Sequence, residues 1–104
     1  MLFRSPPSIF IIFVGESRFP LGQLVITPGA LERLSAKEIQ LALNRHATGD
    51  WGELPEENER ENQRALARGG RLFSAYRSED GQTRFYVITE ADRSVTTALL
   101  PEEY

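Results

Sequence analysis

The apolar residues of this chain change their spacing twice, and that constrains the fold more than any other feature. As far as Ile26 they stand in short runs of strand type. From Thr27 to Arg68 they recur three and four residues apart, and from Arg71 onward they alternate with polar neighbours. Period two marks strands and a period near 3.6 marks helices, so the order is strands, helices, strands. Helices segregated from strands in this way point to the α+β class. With 104 residues there is room for one core. The expectation is a single domain over residues 9–104 in the order ββααβββ, an antiparallel sheet with two or three helices packed on one face. Residues 1–8 form a loose leader.

The first strand candidate, residues 9–14 (IFIIFV), is apolar on both faces, which suits a covered strand or a contact surface. Residues 15–18 supply a turn into residues 21–26 (LGQLVI), so the two segments read as a hairpin. The run at 9–14 is too short for a signal peptide or for a bilayer span. The chain has no Cys, and without disulfides the core alone must hold the fold, which fits a cytoplasmic location. A formal charge of −3 gives no long-range attraction to nucleic acid or to an anionic membrane.

Thr27-Pro28 is a helix start, Thr as cap and Pro at the first helical position. Ser35-Ala36-Lys37-Glu38 is a second start, a capping box, so a short helix, a kink near Ser35 and a longer helix to about Ala47 follow. Ile39, Ala42, Leu43 and His46 share one stripe of that helix, and Gly49 stops it. After a turn-rich loop at 48–55, Pro55 opens a polar helix over 56–68, ended by Gly69-Gly70. Its inward candidates are Asn58, Asn62, Ala65 and Leu66. Three strands close the chain at 71–77, 83–89 and 94–100, the first two joined by a hairpin around Asp80-Gly81. Alternation places Leu72, Ser74 and Tyr76 on one face and Phe73 and Ala75 on the other.

The segments LGQLVITPGALERL (21–34), NRHATGDWGEL (44–54), Asn62 to Leu66, RLFSAY (71–76) and ITEADRSVTTALLPEEY (88–104) carry a resemblance. Across residues 21–104 the chain resembles an uncharacterised family of short bacterial proteins carried on plasmids and integrative elements. The resemblance implies a mobile-element setting and no mechanism.

Few residues are candidates for chemistry. A loop turning at Gly49 would bring Asp50 back to His46, and a carboxylate beside an imidazole raises its pKa and fixes its tautomer for general-base work. The plainer reading makes His46 part of the buried stripe, with Asp50 capping a turn. A histidine in the last helical turn also suits the helix dipole. Trp51, the only Trp, is either a partner's anchor or a plug for the core edge, and the plug is preferred. Arg60, Arg64 and Arg68 form a stripe fit for phosphates, but Glu56, Glu57 and Glu61 lie within ion-pairing reach. Arg93 and Thr96 belong to a polar hairpin in which Asp92 and Ser94 suit the turn and the Thr pair suits a strand, and whose length and polarity leave a binding rim as the other reading. His46 with Asp50, Glu53, Glu56 and Glu57 lacks the paired spacing of a zinc helix, so neither metal nor cofactor is expected.

The expected function is a non-catalytic, protein-binding accessory factor of a mobile genetic element, and a candidate inhibitor of a bacterial defence system. The partner would be another protein or a second copy, met through the 9–14 strand or the Trp51 loop, with nucleic acid a less favoured partner. The alternative is a small ribonuclease or toxin-like enzyme, with His46 as base and Arg60, Arg64, Arg71 or Arg84 as the phosphate clamp. A pI of 5.2 weighs against it. Direct DNA binding lacks a helix-turn-helix signature.

Overall fold

The computed structural model describes residues 16–104. Strand β1 (Gln23–Ile26) leads into α1 (Pro28–Arg33), α2 (Ala36–Ala47) and α3 (Glu56–Arg68). Strands β2 (Leu72–Arg77), β3 (Arg84–Thr89) and β4 (Val95–Leu99) follow, and a 3-10 turn, Pro101–Glu103, ends the chain. The α+β arrangement expected from the spacing is therefore present, in the order βαααβββ among the described residues. The proposed strand at 9–14 and the leader lie outside them.

Local chemistry sets the helix boundaries. Thr27 accepts a bond from the Ala30 N–H, and Pro28 occupies the first turn. Leu34 is extended, and Ser35 starts afresh with both halves of its capping box made: Glu38 N–H to the Ser35 hydroxyl, Ser35 N–H to the Glu38 carboxylate. The expected kink is thus a complete break between two helices. Pro55 gives α3 no side-chain cap, but Glu56, Glu57 and Glu59 set negative charge against its N-terminal dipole.

The sheet has the order β1-β4-β3-β2. β2 and β3 pair antiparallel, as do β3 and β4, but β1 runs parallel to β4, with Leu24 beside Thr96 and Ile26 beside Ala98. The expected antiparallel sheet is therefore a mixed one. Three helices and two strands separate β1 from β4, which is ample chain for a return in the same direction.

The core lies between one sheet face and the helices. Leu72, Tyr76, Phe85, Val87 and Ala98 meet Ala30, Ile39, Ala42, Leu43 and Ala47 there, with Phe19 and Trp51 closing one end. α3 lies by the edge of β2. Of its expected inward residues Asn62 is buried, Ala65 and Leu66 are partly buried against the core, and Asn58 is exposed. Asn62 takes the place of a neighbouring strand: its Oδ1 accepts from the Phe73 N–H at 3.1 Å and its Nδ2 donates to the Phe73 carbonyl at 2.7 Å. Two residues along, Ala75 donates to the Trp51 carbonyl and accepts from the Glu53 N–H. A sheet edge with free donors and acceptors invites pairing with another chain, and here those groups of Phe73 and Ala75 are occupied. Gly52 makes the approach workable, since a Cβ at its φ of 78° would collide with the Ala75 carbonyl.

Candidate functional site

His46 comes from the last turn of α2, on the stripe that faces the sheet. Its imidazole is fully buried, with Nδ1 2.5 Å from the Ser74 hydroxyl and Nε2 2.9 Å from the Thr89 hydroxyl. Thr89 Oγ1 lies 2.7 Å from Thr96 Oγ1, which lies 2.7 Å from the Leu21 carbonyl. Ser74, Thr89 and Thr96 all stand on the inner sheet face, beside the ring rather than on a rim.

The direction of each bond follows from its end point. A carbonyl only accepts, so Thr96 donates its single hydroxyl hydrogen to Leu21. Thr96 must then accept from Thr89, and Thr89, its hydrogen committed, must accept from His46. Nε2 therefore carries the proton. In a neutral ring Nδ1 is then the acceptor, and Ser74 donates to it. The result is a one-way chain of four hydrogen bonds from Ser74 to Leu21 through a neutral Nε2–H imidazole. Burial pushes the pKa of His46 down to about 3, and the positive Arg93 guanidinium adds to the effect.

Aromatic rings seal the imidazole. Phe19 meets it edge-on at 5.3 Å and Trp51 at 5.6 Å, and the Phe19 and Trp51 rings stack 6.2 Å apart. Trp51 is 3 % exposed, and its Nε1–H is buried without an acceptor among the described residues. The indole thus lies inside the core, and only the backbone of its loop and the neighbouring side chains reach the surface.

Several expectations from the sequence change at this point. Asp50 does not turn to His46. It forms a two-pronged pair with Arg45, at 2.7 and 3.1 Å, because Asp50 N–H bonds the Arg45 carbonyl and sets the two side chains together on the surface. That guanidinium holds the Asp50 carboxyl below its usual range. The Arg45 group also lies over the Tyr76 ring, whose hydroxyl donates to the Asp50 carbonyl at 2.7 Å. The helix-dipole reading of His46 requires a charged ring, and this ring is neutral.

Arg93 is half-buried and faces backbone. Its guanidinium donates to the carbonyls of Gly70 at 2.5 Å and Ala65 at 3.1 Å, and to Glu90 and Ala91. It thereby fastens the end of α3 to the β3–β4 turn, where Arg93 itself has φ of 62°, a left-handed value that a non-glycine residue adopts only at a cost. Thr96 is buried in the chain of hydroxyls. Arg60 pairs with Glu56 at 2.9 Å and Arg64 with Glu61 at 2.7 Å, both on an exposed helix face. Among the described residues no three of His, Asp and Glu converge to hold a metal ion, and no helix is long and apolar enough to cross a membrane.

Sequence reasoning missed Ser74 and Thr89 as partners of His46. The available signal was a polar residue at an inward position of an alternating strand, Ser74 between Leu72 and Tyr76. It also missed Glu103. Its carboxylate accepts from Thr27 Oγ1 at 2.5 Å and from the N–H groups of Gly29 and Leu100 at 2.9 Å each, tying the last turn of the chain to the first turn of α1.

The geometry is therefore that of a sealed imidazole in a closed polar chain, with charged pairs outside it. Compared with known proteins, the chain matches no protein-family model, no curated protein and no solved structure.

Proposed function

We propose that this domain is a non-catalytic, protein-binding accessory factor of a mobile genetic element and a candidate inhibitor of a bacterial defence system. One observation carries the reading: His46, the single histidine, is enclosed and hydrogen-bonded at both nitrogens, and its ring is held neutral. A general base must reach the proton it removes, and this one faces Ser74, Thr89 and aromatic rings. Asp50, the carboxylate that would orient the imidazole, is engaged with Arg45, and of the candidate phosphate clamps Arg60, Arg64 and Arg71 are paired with Glu56, Glu61 and Glu90. The mobile-element setting rests on the resemblance carried by residues 21–104.

The partner is another protein or a second copy of the chain. With Trp51 inside the core, the surface around Leu41 is a better contact than the Trp51 loop. Leu41 is 49 % exposed, beside a shallow hollow lined by Ala42, Arg45, Tyr76 and Phe85. An exposed leucine with arginine at its margin suits a protein interface. The test is affinity purification of the tagged domain from cells carrying a restriction-type defence system. The expected result is one defence component retained in stoichiometric amount, together with weakened restriction of incoming DNA. A domain recovered alone, with restriction unchanged, would refute the proposal.

A further inference from the structure

The outer face of the sheet, opposite the helices, carries chemistry that the buried histidine does not explain. Arg71, Phe73 and Arg77 point outward from β2 and its approach, and Arg84 and Tyr86 point outward from β3, with Arg77 opposite Arg84. Phe73 and Tyr86 meet at 4.7 Å between ring centroids, and the Tyr104 ring stands against both, at 6.2 and 6.1 Å. Guanidinium groups flank these rings at either end: Arg84 lies over Tyr86 and Arg71 over Tyr104, each at 5.7 Å. At a strand rise of about 3.4 Å per residue, the row from Arg84 to Glu90 is about 20 Å long. Beyond Arg71 the row turns a corner into a hollow lined by Arg64, paired with Glu61, by Arg68 and by Gly69-Gly70. Acidic partners neutralise some of these cations: Arg77 pairs with Glu53 and Arg71 with Glu90. Among the described residues, Arg68 and Arg84 have no acidic partner within ion-pairing distance.

We propose that this face binds a short single-stranded nucleic acid, with bases against the Phe73, Tyr86 and Tyr104 rings and phosphates against Arg84, Arg71 and Arg68. Two independent features support this occupant. Partly exposed aromatic rings, packed tilted or edge to face with one another, can stack with unpaired bases of any sequence, and guanidinium groups at both ends of the row match a ligand with repeating negative charge. A duplex keeps its bases stacked inside and presents no ring faces to this surface. The site is separate from the protein contact proposed above and does not depend on it.

With about two to three phosphates neutralised, the logarithm of affinity should fall with the logarithm of salt concentration at a slope of about −1.4 to −2. The probe is a short fluorescein-labelled oligouridylate, titrated with the whole protein by anisotropy at low and moderate salt. The expected result is saturable binding with that slope. Combining Arg68→Glu with Arg84→Glu should weaken it roughly tenfold or more, and Tyr104→Ala roughly fivefold or more. Tyr104 is 67 % exposed at the end of the chain, so its replacement leaves the core intact even if the charge reversals disturb folding. Absence of binding at low salt would overturn the proposal, as would affinity unchanged by Tyr104→Ala. So would equal binding of a blunt duplex, or competition by polyglutamate as strong as by unlabelled oligouridylate.

Discussion

Lowering the pH should destabilise this protein through His46 before any carboxylate contributes. In the unfolded chain the ring titrates near its ordinary value of 6.5, whereas in the fold burial and Arg93 bring it down to about 3. Between those values the unfolded state binds a proton that the folded state refuses, so stability is greatest above pH 6.5 and declines as the pH falls toward 3. Each pH unit in that window is worth about 1.4 kcal/mol, so the whole interval amounts to about 5 kcal/mol and the step from pH 6.5 to 5 to about 2 kcal/mol. The carboxyls of Glu38, Asp50, Asp80, Asp92 and Glu103 are also held low in the fold, but their unfolded counterparts take up protons mainly below about pH 5. The window from pH 7 to 5 therefore isolates the single histidine. In a domain of this size a loss of about 2 kcal/mol lowers Tm by about 10 °C. Thermal unfolding followed by Trp51 fluorescence and by circular dichroism reads the shift directly. His46→Gln should be less stable at pH 7 yet nearly flat from pH 7 to 5. A wild-type Tm that stays level across the window would refute the reasoning, and so would a slope that persists in the variant.

Two further perturbations test how the rest of the fold is held. Asn62→Ala leaves the Phe73 N–H and carbonyl without their partner, and should lower unfolding free energy in urea by about 2–3 kcal/mol; a loss near zero would mean that water replaces the amide without penalty. Glu103→Gln substitutes an amide for a carboxylate that accepts from Thr27, Gly29 and Leu100, and should lower stability by about 1–2 kcal/mol at neutral pH. The difference should shrink as the pH drops below the usual carboxylate range and the wild-type carboxyl also becomes neutral. A gap that stays constant down to acid pH would contradict that role.

What was legible in the sequence was local. The Ser35–Glu38 capping box, Pro28 in a first turn and Asp80-Gly81 between strands each act within a few residues, and the structure has a helix start or turn at each. Strand spacing identified β1 to β4 but carries no information on partner direction, so the parallel union of β1 with β4 was not foreseen. The same limit applied to the site. His46 was correctly placed on a buried stripe, but Ser74 and Thr89 lie 28 and 43 residues away, and nothing local joins them. Asp50 had two basic neighbours within reach, His46 and Arg45, and the backbone bond from Asp50 to Arg45 decides between them. Glu103 has no local signal of its role in the sequence, and only the return of its turn to α1, across 74 to 76 residues, makes it a cap.

The tautomer and charge of the single imidazole are the most direct test, because the one-way hydrogen-bond chain permits only one neutral tautomer and burial disfavours the charged ring. In ¹⁵N-labelled protein the His46 ring nitrogens should show a protonated Nε2 and an unprotonated Nδ1, with shifts constant from pH 8 down to about 4.5. Ring signals that titrate near the ordinary histidine value, or a proton found on Nδ1, would contradict the account.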